Sequence, residues 1–231
     1  MIIFDPLYLV FMIPALVLSL VAQMWVKSAM KKYSRVPARS GVTGAHVARE
    51  ILRRDGIDNV KIERVSGWLS DHYDPRSRTL RLSPDNYDGR SVAALGVAAH
   101  EAGHAIQHAR NYTPLLLRQT MAPLAMFGSN FAFFFIIGGF ILGMAGLVHV
   151  GIILFAAGVA FSLITLPVEF NASARAKHLL PQLGFIQRGD EMTGVIRVLN
   201  AAALTYLAAA LAALLQLLYF LYRAGLLGGR N

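Results

Sequence analysis

Four apolar runs divide the chain: Leu7–Val26, Met121–Val148, Val150–Val168 and Ala201–Tyr222, none containing Asp, Glu, Lys or Arg. Each approaches or exceeds the roughly 20 residues with which a helix crosses a bilayer. The second and third are separated only by His149 and predict a helical hairpin with its tip over residues 146–151. Between the runs the periodicity changes. Val47, Ala48, Ile51 and Leu52 recur at helical spacing within residues 43–54, with Thr43 placed to cap the helix and Gly56 to end it. Residues 59–65 predict a strand. Residues 68–73 and 78–83 predict a hairpin around Asp74-Pro75-Arg76-Ser77, a turn in which Asp bonds its own backbone and Pro fixes φ. Residues 91–109 predict a long helix.

These elements predict a mainly α integral membrane protein: about four transmembrane helices and a small α+β cytoplasmic domain, zincin-like in that its helix over 91–109 carries the HExxH pattern His100-Glu101-Ala102-Gly103-His104. The expected division is an N-terminal anchor over 1–32, a soluble portion over 33–115, a transmembrane hairpin over 116–168, a cytoplasmic segment over 169–200, and a C-terminal helix and tail over 201–231. Composition agrees, with 55% hydrophobic and 15% charged residues, against roughly 25% charged in soluble domains. No basic stretch precedes the first run, so it reads as a retained anchor rather than a signal peptide.

The net charge of +9 changes the picture through its placement. Lys27, Lys31, Lys32, Arg35 and Arg39 crowd the exit of the first run, which suits a membrane surface better than nucleic acid. The hairpin tip has no Lys or Arg. The bias of basic residues to the cytoplasmic side then puts residues 27–120 and 169–200 in the cytoplasm and both termini outside, although Arg223 and Arg230 run against the bias. Cysteine is absent, so a metal would need nitrogen and oxygen ligands.

One stretch carries candidate chemistry. His100-Glu101-Ala102-Gly103-His104 has the HExxH spacing of zinc hydrolases. On a helix, residues four apart share a face about 6 Å apart along the axis, so both imidazoles can reach one ion. Glu101 lies beside them, placed to take a proton from an attacking water. The flanks are apolar, and burying unpartnered polar groups costs several kcal/mol; a metal resolves that cost. Gly103, unfavourable in a helix by about 1 kcal/mol, predicts that another backbone comes close. A zinc enzyme needs a third protein ligand and an open position. His108 is roughly 12 Å along the helix from His100, too far to share the ion. Glu169, the first carboxylate after the third run, is the expected ligand, with Ser173 one turn on to hydrogen-bond a ligand. Asp190 and Glu191 are rivals in a polar loop.

The stretches "LSDHYDPRSRTLRLS", "SVAALGVAAHEAGHAIQHA", "LPVEFNASARA" and "LNAAALTYLAAAL" closely resemble the YugP-like zinc metallopeptidases of bacterial membranes, in order along nearly the whole chain. The layout more distantly resembles the HtpX and CAAX prenyl protease group, gluzincin-like membrane enzymes whose third ligand is a later glutamate. The resemblance implies one zinc per chain on His100, His104 and Glu169, Glu101 as catalytic base, a multi-pass protein of the bacterial inner membrane, and a protein or peptide substrate. In the HtpX-type pattern an aspartate follows the ligand glutamate by four; here Ser173 stands at that position, so a supporting carboxylate does not carry over.

Peptide hydrolysis also needs a donor for the oxyanion, for which Arg175, His178 and Tyr206 are candidates. A peptide could add to a sheet edge formed by residues 78–83 or 68–73, where Asp71, His72 and Tyr73 are candidate contacts. Two other readings compete. In a site-2-type intramembrane protease the motif lies within a span and an aspartate completes the site; here Arg90 and Arg110 bracket the motif and no span carries an aspartate. In a catalytically silent zinc scaffold Glu101 would have no use.

Overall fold

The computed structural model describes residues 5–68 and 70–227; Leu69, within the expected strand over 68–73, and Arg230 lie outside the described residues. The chain runs α1 (Pro6–Tyr33), α2 (Gly44–Arg54), β1 (Lys61–Arg64), β2 (His72–Asp74), β3 (Thr79–Leu82), α3 (Pro84–Tyr87), α4 (Val92–Ala109), α5 (Thr113–Leu142), α6 (Ala145–Gln182) and α7 (Asp190–Arg223). Helices α1, α5, α6 and α7 are long and apolar enough to cross a membrane. The apolar runs mark only parts of them: α6 continues past Val168 to Gln182, so Glu169 lies on a continuing helix. Two compact units result, one comprising Met1–Ala22, Leu116–Leu166 and Thr205–Asn231, the other Gln23–Leu115 and Pro167–Leu204.

The first unit is helical. Its hairpin turns at Gly143 and Met144 rather than at His149, which sits exposed on α6. Gly143 adopts φ +65°, a left-handed conformation that glycine reaches without steric cost, and Met144 N donates to Gly139 O at 2.9 Å. Several glycines in this stretch could break a helix, and the packing of the two legs selects one. A Cβ on Gly151 would lie 2.8 Å from both Ala132 O and Ile136 N, so the legs meet along small residues, as apolar helices do in lipid. Ile136, Val148, Ile152, Tyr219 and Phe220 form the unit's core. Outside it, Phe134 and Ile141 are 75% and 77% exposed, a surface that only a bilayer covers at low cost. The protein is a membrane protein.

The chain ends of this unit are joined by polar contacts. Tyr219 OH donates to Asp5 Oδ2 at 3.1 Å, and Arg223 Nε lies 3.6 Å from the same oxygen. Gln216 accepts from Tyr8 at 3.3 Å, bonding α7 to α1.

The second unit holds the sheet, in the order β1-β3-β2. β2 runs antiparallel to β3, with Tyr73 opposite Leu80, and the turn is held as expected: Asp74 Oδ1 accepts from Arg76 N at 2.9 Å. These contacts hold the Asp74 carboxyl down at about 2, first through the Ser77 hydroxyl and then through the backbone amides. β1 runs parallel to β3 on its other side, Ile62 opposite Leu80. Residues 78–83 thus form the central strand and cannot be a free edge, because both sides of their backbone are already paired. The edges are β1 and β2. Thr43 Oγ1 accepts from His46 N at 3.3 Å to start α2, whose Val47, Ala48, Ile51 and Leu52 pack into the core with Leu80, Leu82 and α4.

α4 is the axis of this unit. Ser91 caps it by accepting from Ala94 N, and 14 of its 18 residues are buried. A helix apolar on nearly every side belongs in the middle of a fold, so the HEAGH segment is not a solvated face. Gly103 meets α6 closely: a Cβ there would lie 2.9 Å from Ala172 O and 3.2 Å from its Cα. Gly96, two turns earlier, would find Val195 at 3.7 Å, an ordinary contact. Gly103→Ala should therefore destabilise by about 1–3 kcal/mol through overpacking, whereas Gly96→Ala should be neutral or stabilise by up to about 1 kcal/mol. Melting of the detergent-solubilised variants checks this, and equal melting points would contradict the close approach.

Candidate metal centre

The docking of α6 against α4 brings three potential ligands together. One ring nitrogen of His100, one of His104 and a carboxylate oxygen of Glu169 all lie within 4.8 Å of one another. His100 Nε2 is 3.2 Å and His104 Nε2 3.6 Å from Glu169 Oε2. The imidazoles come from one face of α4, one turn apart, with ring centroids 4.7 Å apart and planes at 86°. Glu169 is 2% exposed and His104 8%. Three ligating groups facing one another in a largely dry site have the character of a metal cage, and nitrogen with oxygen donors and no sulfur suits zinc.

The outward nitrogens of both rings are held as well. Ser173 Oγ lies 3.1 Å from His100 Nδ1. His104 Nδ1 lies 3.0 Å from Gln107 Oε1. Gln107 can turn only one way: its Nε2 donates to Val168 O at 2.8 Å and to Asn171 Oδ1 at 3.0 Å. A backbone carbonyl can only accept, and Asn171 Oδ1 already accepts from Arg175 Nε at 2.8 Å. The glutamine oxygen must therefore face His104, whose Nδ1 carries a proton, so that in the neutral ring the lone pair is on Nε2, toward Glu169.

Glu101 is buried, and among the described residues its carboxylate makes no hydrogen bond or ion pair with the protein. Burial raises its pKa above the ordinary glutamate value, since a charge is disfavoured away from water. For His104, burial acts to lower the pKa, but Glu169 and Glu101 outweigh it and the net direction is upward. A carboxylate without a protein partner beside two imidazoles and a second carboxylate is equipped to exchange protons.

The remaining candidate residues divide. Ser173 belongs to the cluster. Arg175 acts at one remove, through Asn171. His178 is exposed on α6 and lines a cleft with Lys177 and Arg188. Tyr206 belongs to the other unit. Asp71 fastens the start of β2: its Oδ1 accepts from Ser83 N at 2.8 Å and its Oδ2 from Asn86 Nδ2 at 2.9 Å. His72 Nδ1 is 2.7 Å from Ser70 O, and Tyr73 OH is 2.9 Å from His108 Nδ1, so His108 is engaged with the sheet and not with the cluster. Glu191 lies in the first turn of α7 rather than in a loop. It accepts from Arg39 N at 2.8 Å and Gln187 N at 2.7 Å, an end-capping role. Gln107 and Asn171 were not singled out in the sequence. Their signal was position: Gln107 follows His104 by three on the same helix face, and Asn171 follows Glu169 by two.

The chain belongs to the family described as "Putative neutral zinc metallopeptidase", which it matches over residues 8–225. It is similar to "Putative membrane protease YugP" of Bacillus subtilis (strain 168), 52% identical over 214 residues that cover 93% of this chain and 95% of that protein. No solved structure matches the chain.

The hydrogen-bond logic at Gln107 has a direct readout. In protein labelled with 15N-histidine, without added metal and at alkaline pH, His104 should show a protonated Nδ1 and an unprotonated Nε2. Gln107→Leu should remove that preference. An Nε2-protonated His104 in the unsubstituted protein would contradict the assignment.

Proposed function

We propose that this protein is a zinc metalloendopeptidase of the bacterial inner membrane, with its active site on the cytoplasmic side. The observation that carries the reading is the convergence of His100, His104 and Glu169 beside Glu101, a largely buried glutamate with no hydrogen bond to another described residue. Glu169 lies beyond a complete hydrophobic hairpin from the histidines, and nothing in packing alone requires a second carboxylate there. We assign the three residues as the ligands of one zinc ion per chain. Zinc in such a site supplies Lewis-acid polarisation of a peptide carbonyl and lowers the pKa of water toward neutrality.

The chain's own residues do the rest. Glu101, made more basic than an ordinary glutamate by burial, takes the proton from the attacking water and returns it to the leaving amine. Gln107 holds the His104 imidazole so that a lone pair faces the centre, and Ser173 hydrogen-bonds the outward nitrogen of His100. The zincin-like portion is residues 33–115 with 169–200, and the segments 1–32, 116–168 and 201–231 anchor it. An extended peptide would add to β2, the sheet edge that contacts α4. A silent scaffold would have no need of Glu101 left without a partner.

Purified protein should contain one zinc per chain, and His100→Ala or His104→Ala should strip it. Glu169→Ala should weaken zinc binding and abolish cleavage, while Glu191→Gln, the rival carboxylate, should leave both intact. Glu101→Gln should keep zinc and lose cleavage by several orders of magnitude. Full zinc and normal cleavage in Glu169→Ala would overturn the ligand assignment, and activity in Glu101→Gln would remove it as base. A reporter inserted after Tyr33 should read cytoplasmic and one at the Gly143 turn external; the reverse would put the active site on the other side of the membrane.

A further inference from the structure

A second site lies in the same unit, at the exit of the first apolar run. A cavity of about 800 Å³ is lined by Lys27, Lys31, Arg35 and Arg90, with Trp68 and Asp85 among its other walls. Four cations against one carboxylate leave three positive charges. None of the four cations makes an ion pair or a side-chain hydrogen bond among the described residues, and all four are exposed. Like charges gathered in a concave site repel one another and raise the local concentration of anions. The volume falls within the range of small-molecule sites.

The surroundings say what kind of anion fits. Met24, Lys27 and Lys31 follow one another at helical spacing and share a face of α1. Met24 and Trp25, the turn before the cavity, are 64% and 46% exposed, and Trp68 at its rim is 64% exposed. A free anion would neutralise the cations and leave these apolar surfaces in water. A bilayer amphiphile satisfies both, with acyl chains against Met24 and Trp25 and a charged headgroup on the cations. Tryptophan favours that boundary, where its ring is apolar and its N–H meets water.

We propose that this cavity is a binding site for the headgroup of an anionic phospholipid, whose phosphodiester is held by Lys27, Lys31, Arg35 and Arg90 and whose glycerol backbone lies against Trp68. The site is independent of the metal centre and of the peptidase reading. It would fix the depth at which α1 leaves the membrane and hence the height of the soluble portion above it.

The chain's two tryptophans are Trp25 and Trp68, so intrinsic fluorescence reads this site directly. Full-length protein in neutral detergent would be titrated with dihexanoyl phosphatidylglycerol, dihexanoyl phosphatidylcholine and inorganic phosphate. The anionic lipid should shift the emission saturably and at low salt. Phosphatidylcholine should bind about 100-fold more weakly and phosphate should not compete. Each surface cation contributes about fivefold to such binding, so Lys27→Gln/Lys31→Gln/Arg35→Gln should lose about 100-fold. Arg49→Gln/Lys61→Gln, which removes two cations elsewhere, should lose nothing. If the triple variant does not fold, Arg35→Gln/Arg90→Gln should lose about 25-fold. Equal response to the two lipids, competition by phosphate at matched concentration, or equal loss in the Arg49/Lys61 variant would each overturn the proposal.

Discussion

The contact between Gly103 of α4 and Ala172 of α6 governs much of what surrounds it. The absence of a side chain at Gly103 lets the two backbones approach so that Ala172 O would sit 2.9 Å from a Cβ placed there. At that separation Glu169, one turn before Ala172, faces His100 and His104. Gln107, one turn after Gly103, reaches Val168 O and Asn171. A wider helix pair would leave an imidazole pair on one wall, a carboxylate on the other, and each group short of a partner. The alanines along α4 serve the same end, since small side chains let a buried helix pack closely on several sides at once.

The polar groups in this contact are costly to bury and are arranged to offset one another. Unpartnered, each would cost several kcal/mol. Gln107 satisfies three neighbours, Asn171 links it to Arg175, and Ser173 meets His100. The carboxylate of Glu101 is left outside this scheme. Glu101 is 8% exposed, and no hydrogen bond to another described residue explains why a carboxylate lies beside the two imidazoles.

Much of this was legible in the sequence because the signals were local. The apolar runs marked the four long helices, and the apolar spacing in 43–54 and the turn at Asp74-Pro75 marked their elements. The helical spacing of His100 and His104 put both rings on one face, and Gly103 in a helix marked a close approach. Non-local features were hidden. The parallel pairing of β1 with β3 joins segments that no turn connects, so residues 78–83 read as an edge although they are the centre of the sheet. The hairpin turn fell at Gly143 because packing of Gly151 against Ala132 set the register, which the glycine-rich stretch alone left open. Gln107 read as an ordinary polar residue at the end of a helix, since its three partners lie across the fold or one turn back and only docking brings them together.

Distribution of charge links the helices to their setting. Basic residues gather at the exit of α1, Arg223 is matched by Asp5, and the outward faces of α5 carry large apolar side chains. The candidate metal centre is formed by α4 and the part of α6 that continues past the apolar run. The most direct test is X-ray absorption at the zinc edge on the purified, zinc-loaded protein and on Glu169→Ala. The account predicts two imidazole nitrogens at about 2.0–2.1 Å with the remaining ligands oxygen, and a changed, weakly held shell in the variant. A third imidazole, or an unaltered coordination shell in Glu169→Ala, would contradict it.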